Sequence, residues 1–195
     1  MRRNFQKFIL FLFILSPLAC NQQQGQTAEE RIDSLQVVYN YLSDSVNLTW
    51  KEMIKDDDQK IQNLQLLLDA VEDTGNFDAD QLATLRERVN KLKDLRYTQQ
   101  SMEESNLIDE YDLAVKSVKN EVITFAQAQP GYEDNTIMKG FINEIENADN
   151  QVLFYRIDYD HVAKSYNDFI DSHQNELDEI TQEQPEKKST FSFTE

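Results

Sequence analysis

Residues 138–180, MKGFINEIENADNQVLFYRIDYDHVAKSYNDFIDSHQNELDEI, carry apolar or aromatic side chains mostly three or four positions apart. The positions are Met138, Phe141, Ile145, Val152, Tyr155, Tyr159, Val162, Tyr166, Phe169, Ile170, Leu177 and Ile180. Side chains at this spacing lie on one face of an α-helix, whereas a strand would need alternation. The segment therefore predicts one long helix with a buried face, beginning near Asp134.

A second striped segment lies at the start of the chain, from about Glu29 to Asp73. Its stripe consists of Ile32, Leu35, Tyr39, Leu42, Val46, Trp50, Met53, Ile61, Leu64, Leu67, Leu68 and Val71. These steps of three and four are typical of the seam of a coiled coil. The stripe weakens at residues 56–58, three consecutive aspartates that we interpret as a solvated patch that loosens the helix. Gly75 is the predicted C-cap.

A third striped segment lies between the other two and begins at Asp78. This residue is an N-cap candidate, and Gln81 three residues later completes a capping box. The stripe consists of Leu82, Leu85, Val89, Leu92, Ile108, Tyr111, Val115, Val118, Val122 and Phe125. It fades over residues 97–105, and Pro130-Gly131 ends the segment.

Three striped segments of matched length, 29–73, 80–128 and 135–180, must fold back on one another to bury their stripes. Four Gly and three Pro in 195 residues leave few turns, which also favours long helices. The predicted fold is all-α, an elongated antiparallel bundle of three long helices at residues 29–181. If residues 97–105 interrupt the middle helix, the bundle has four.

The N-terminus resembles a secretory signal. Arg2, Arg3 and Lys7 precede an apolar run at residues 8–15, and Cys20 follows as the only cysteine. This order predicts a signal peptide at residues 1–19 and lipidation of Cys20, with residues 20–28 as a flexible tether. Two alternatives remain open: a plain cleaved signal peptide and a short uncleaved anchor.

The charge of the chain restricts its partners. Removal of residues 1–19 leaves 16 Lys and Arg (19 less three) against 36 Asp and Glu, a net charge of −20. Such a surface repels nucleic acid and disfavours docking on anionic lipids, so we expect no nucleic acid partner and attachment to the membrane through lipid alone. A single cysteine cannot form an intrachain disulfide.

Residues 150–167, NQVLFYRIDYDHVAKSYN, resemble the signature of the LemA proteins. The matching positions are Asn150, Arg156, Tyr159, Val162, Tyr166 and Asn167. The resemblance implies an all-α protein attached to the bacterial cell envelope and facing the periplasm, without established catalytic activity and with a role in envelope stress or quality control. Independently of the resemblance, we interpret the tyrosines as core residues with hydroxyls at the edge, and Asn150 and Asn167 as bridging groups between helices.

The residues that could carry catalysis or bind metal are few. His161 and His173 are twelve residues apart and do not share a helix face, so two exposed histidines are the simpler interpretation. Asn76, Asp78, Asp80 and Glu87 imitate the ligand spacing of a calcium loop, but Gln81 stands where that loop needs glycine, which favours capping. We therefore expect no metal, no cofactor and no catalytic residues.

Three functions fit this sequence. The preferred one is a non-catalytic interaction or scaffold module, tethered to the envelope, whose partners are other envelope or membrane proteins. The alternatives are a structural spacer or periplasmic chaperone-like bundle, and an envelope enzyme that uses carboxylates. We expect residues 182–195 to form a disordered tail with Phe191 and Phe193 exposed; alternatively, the two rings fold back onto the end of the bundle.

Overall fold

A computed structural model describes residues 27–181 and 185–191. The helices are α1 (Ala28–Glu72), α2 (Ala79–Leu95), α3 (Ser105–Gln127), α4 (Thr136–Ser172) and α5 (Gln174–Ile180), with single 3₁₀ turns at Ser101–Glu103 and Tyr132–Asp134. No strand occurs among these residues, so the all-α prediction is confirmed. Cys20, the signal peptide and Phe193 lie outside the described residues.

The ends of the helices follow the capping residues. Thr27 caps α1 through a reciprocal box with Glu30, and the Asp78 carboxylate accepts from the Gln81 N–H at 2.9 Å at the start of α2. This bond confirms the capping interpretation of Asp78. Gly75 follows α1 in the left-handed region with φ +67°, a backbone conformation that only glycine adopts without cost.

The middle segment is not one helix but two, which is the alternative that the sequence left open. Helix α2 ends at Leu95, where Arg96 takes an extended backbone conformation, and helical structure resumes only with the turn at 101–103 and then α3. Thr98 and Ser101 bond each other through backbone and side chain within this connection. The bundle therefore has four long helices.

The C-terminal striped segment, predicted as one helix from near Asp134 to residue 180, differs from its prediction at both ends. Helix α4 begins at Thr136 with Asn135 as its cap, two residues after the predicted start. It is also not continuous to residue 180, because His173 leaves helical geometry and separates α5 from α4. The His173 ring stacks on Phe169, with centroids 4.4 Å apart, at this break.

Helices α1 and α4 form the central antiparallel pair of the fold. Tyr39 contacts Tyr166, and Trp50 contacts Tyr159, so residues move forward along α1 as they move backward along α4. Helices α2 and α3 pack against this pair only beside the second half of α1. The molecule therefore has a four-helix part and a narrower arm formed by the first half of α1 and the end of α4.

The predicted stripes form the core. Every stripe residue of the middle segment is buried, and those of the other two are buried or half-buried. Within the described residues, none of the helices is both long enough and apolar enough to span a bilayer.

The chain after α5 returns along α4. The Lys187 ammonium pairs with Asp171, the Lys188 backbone bonds Asn167, and the Phe191 N–H donates to Asp160 at 2.8 Å. Phe191 is only 5% exposed. The prediction of an exposed Phe191 is therefore wrong. Its ring packs on Tyr97 and Tyr159 beside the middle of α4 and not at the end of the bundle.

We expect Phe191→Ala to lower the free energy of unfolding by roughly 1–3 kcal/mol, because burial of an aromatic ring contributes about this much. Phe154→Ala is the matched control, since Phe154 is 66% exposed on α4, and it should change stability by less than about 0.5 kcal/mol. Urea denaturation followed by circular dichroism measures both. Equal, small losses would show that the tail does not hold its place in solution.

Candidate functional site

Ionic groups point inward at the middle of the bundle, beside the connection between α2 and α3. Arg156 on α4 binds Asp112 on α3 through two hydrogen bonds of 2.8 and 2.6 Å. It also donates to the Tyr97 hydroxyl at 3.2 Å and covers the Phe191 ring at 4.9 Å from its centroid. A guanidinium held by a carboxylate fork and an aromatic face is well fixed in position.

A second ionic group surrounds Asp57 on α1. Arg96 donates to its carboxylate at 2.9 Å, the Tyr111 hydroxyl also donates to it, and the Lys60 ammonium is 3.5 Å away. Asp57 is only 8% exposed. The interpretation of residues 56–58 as a solvated patch is therefore wrong for Asp57, and α1 runs through this point without interruption. Asp57 lies four residues after the buried Met53, so it continues the buried face of α1.

The neighbouring aspartates respond differently to their surroundings. Burial raises the pKa of Asp56, with Lys60 opposing this effect. Burial also raises the pKa of Asp58, but hydrogen bonds from Lys93 and Arg96 outweigh it and lower the pKa overall. The Asp56 carboxylate therefore lies in a mainly desolvated environment, whereas the Asp58 carboxylate lies among cationic groups.

The tyrosines of this region remain protonated at neutral pH. Burial raises the pKa of Tyr97 and that of Tyr159 to about 12. Burial, followed by the charge of Asp57, raises the pKa of Tyr111 still further. These hydroxyls therefore keep their protons; that of Tyr111 donates to Asp57, whereas that of Tyr97 accepts from Arg156.

Aromatic rings join the two ionic groups. Tyr159 is fully buried and contacts Trp50 at 5.4 Å and Phe191 at 5.9 Å between centroids. Tyr97 contacts Tyr111 at 5.7 Å with the rings nearly perpendicular, which is a favourable edge-to-face arrangement. The tyrosines were predicted as core residues, but the Tyr159 hydroxyl is buried and not at the edge.

The other signature residues lie apart from this centre. Tyr166 packs on Tyr39 in the arm. The amide of Asn167 both donates to and accepts from the Lys188 backbone at 2.8 Å, so it holds the tail and does not bridge helices. Asn150 is exposed, so the prediction that it bridges helices is also wrong. Of the residues that resemble the LemA signature, Arg156 and Tyr159 therefore lie in the core, Asn167 contacts the tail and Asn150 lies on the surface.

The two histidines do not form a common site. His161 is exposed, as predicted, whereas His173 is half-buried at the end of α4. Across residues 27–181 and 185–191, no group of three or more His, Cys, Asp or Glu side chains is arranged to hold a metal ion.

A half-open cavity of about 320 Å³ lies beside these ionic groups, between α1, α3 and α4. Its charged lining residues are Asp57, Lys60, Arg96, Asp112, Lys116, Lys119, Asp149 and Arg156. Among these, only Arg156 and, within the run 56–58, Asp57 were singled out from the sequence. The available signal was the position of Asp57 and Lys60, which continue the stripe of α1 between Met53 and Leu64 where apolar residues are expected.

The chain matches no family model, no curated protein and no solved structure.

Proposed function

We propose that this protein is a non-catalytic interaction module, attached to the bacterial cell envelope through a lipid on Cys20, that binds another envelope protein. The observation that carries the proposal is an apolar stripe on the outer face of α1, formed by Val37, Tyr41 and Leu48 and called here the outer stripe. The three side chains are 69%, 70% and 57% exposed.

The outer stripe is placed for contact with a helix. Its spacing of four and seven residues puts the three side chains on one line, on the side of α1 opposite the buried Val46 and Met53. A line of large exposed apolar side chains, here with Asp44 between Tyr41 and Leu48, is typical of a protein-binding face on an acidic protein. An amphipathic partner helix could cover it with its own apolar positions. The resemblance to LemA proteins supports the same placement in the envelope.

In-cell photocrosslinking tests whether the outer stripe contacts a partner protein. A photoreactive phenylalanine analogue at position 41 should give a discrete protein adduct, and the same analogue at the exposed Thr84 of α2 should not. Leu48→Gln should abolish the adduct at position 41 without lowering the melting temperature. No adduct at position 41, or equal adducts at both positions, would favour the structural spacer.

Fractionation of Cys20→Ser tests the attachment. Acyl chains contribute about 0.8 kcal/mol per buried methylene, and the acidic polypeptide has little other affinity for a membrane, so the variant should appear in the soluble fraction. If the variant remained membrane-bound at the wild-type level, an uncleaved N-terminal anchor would explain the attachment instead of a lipid.

A further inference from the structure

The cavity between α1, α3 and α4 has a charge opposite to that of the whole chain. Acidic side chains outnumber basic ones by 36 to 19 in the sequence. The cavity lining reverses this ratio, with five Lys and Arg and three Asp. Counted by residue type, the lining therefore carries a formal excess of two positive charges.

Three of the cations are matched by carboxylates. Arg96 pairs with Asp57 at 2.9 Å, and Arg156 pairs with Asp112 at 2.6 Å. Lys119 pairs with Asp149 at 2.5 Å. Each of the three aspartates of the lining is thus used by one cation at hydrogen-bond distance. Lys60 and Lys116 make up the excess.

Lys60 is the more informative of the two surplus cations. Its side chain is 5% exposed, yet its ammonium lies 3.5 Å from the Asp57 carboxylate and 3.8 Å from that of Asp149. These separations exceed the usual N–H···O range of 2.7–3.2 Å. Burial of an ammonium group is costly unless acceptors surround it closely, so Lys60 has unused capacity to donate.

Arg156 offers a second unused donor. Its two terminal nitrogens bind Asp112 and Tyr97, but its Nε is buried without a hydrogen-bond partner among the described residues. Arg156 and Lys60 both line the cavity, as does Lys116. Three side chains of positive charge therefore border one space.

Of the other six lining residues, Tyr97 and Tyr111 carry hydroxyls and the remaining four are apolar. Met53, Ile54, Val115 and Val152 contribute side chains without charge. A volume of about 320 Å³ lies at the lower end of the range for ligand pockets. The space suits a small molecule that has an anionic group and a compact apolar body.

We propose that this cavity binds a small organic anion, whose carboxylate or phosphate oxygens accept hydrogen bonds from Lys60 and Lys116 beside the positive charge of Arg156, while its apolar part packs on Met53 and Val115. The anion would supply the acceptors that Lys60 lacks and neutralise the positive excess. This site is separate from the outer stripe and does not depend on the protein partner proposed above.

Isothermal titration calorimetry with three ring compounds of similar size tests the proposal. Benzoate and phenyl phosphate carry the two anionic groups, and benzyl alcohol is the uncharged control. The full chain should bind at least one of the anions at least tenfold more tightly than benzyl alcohol, and the tighter of the two anions identifies the head group. Equal binding of all three compounds, or no binding of either anion, would overturn the proposal.

Two variants and a matched control locate the site. Lys60→Met removes the ammonium but keeps a flexible apolar stem, and should weaken binding of the anion at least tenfold. Lys116→Met, at an exposed position, should weaken it several-fold even if Lys60→Met folds poorly. Lys139→Met makes the same charge change at the start of α4, where Lys139 pairs with Glu133, and should leave binding unchanged. Equal affinities of Lys116→Met and Lys139→Met would place the anion elsewhere and refute the site.

Discussion

Tyr159→Ala should lower the free energy of unfolding by about 3–5 kcal/mol, the range for deletion of a large aromatic side chain from a core. Tyr159 is fully buried. Its ring lies between Trp50 of α1 and Phe191 of the tail. The truncation would therefore leave a cavity where three separate segments of the chain meet, and none of them can close it without moving away from another.

Denaturant unfolding of three variants separates the contributions of Tyr159. Tyr159→Phe keeps the ring and should cost less than about 1 kcal/mol. His161→Ala, two residues away on the exposed side of α4, should change stability by less than about 0.5 kcal/mol. If Tyr159→Ala cost no more than His161→Ala, the packing of α4 on α1 described above would be incorrect.

The helices could be predicted from the sequence because their signals are local. A stripe at steps of three and four specifies a buried face, and caps such as Asp78 and the turn at Pro130-Gly131 mark ends within a few residues. The break between α2 and α3 was also visible as the fading of the stripe at 97–105. The break at His173 was not, because Leu177 and Ile180 continue the apolar pattern across it.

The ionic centre could not be predicted because it depends on pairing between distant residues. Asp57 and Arg96 are 39 positions apart, and Asp112 and Arg156 are 44 positions apart. A sequence read one helix at a time assigns such charges to the solvated face, which is the usual place for them. Only the packing of α1, α3 and α4, with α4 antiparallel to the other two, brings the partners together.

The exposure of Phe191 was mispredicted for a related reason. Residues 182–190 contain no apolar anchor, and composition alone favours disorder for such a segment. The Phe191 ring is held in place by residues that are distant in the sequence, among them Tyr97 and Arg156. Asn167 adds backbone hydrogen bonds to Lys188 that composition does not reveal.

Asp57→Ala should destabilise the fold by about 3–5 kcal/mol, the usual cost of removing one partner from a buried ion pair. The Asp57 and Arg96 side chains are 10% and 15% exposed, and that of Lys60 is 5% exposed. The substitution leaves Arg96 with only the more exposed Asp58, and it removes the acceptor of the buried Tyr111 hydroxyl. The loss arises because these groups stay buried with fewer partners, so the figure is not the net contribution of the pair.

The same substitution should act on ligand binding in the opposite direction. Asp57 contributes one of the three negative charges in the lining of the cavity, so its removal raises the formal excess there from two positive charges to three. If the cavity binds an organic anion, Asp57→Ala should bind benzoate or phenyl phosphate more tightly than the wild type does, although it is less stable. Chemical denaturation and calorimetry on the same preparations, below the melting temperature of the variant, measure both effects. A variant that lost stability and anion affinity together would show that Asp57 shapes the cavity rather than opposing the charge of its ligand.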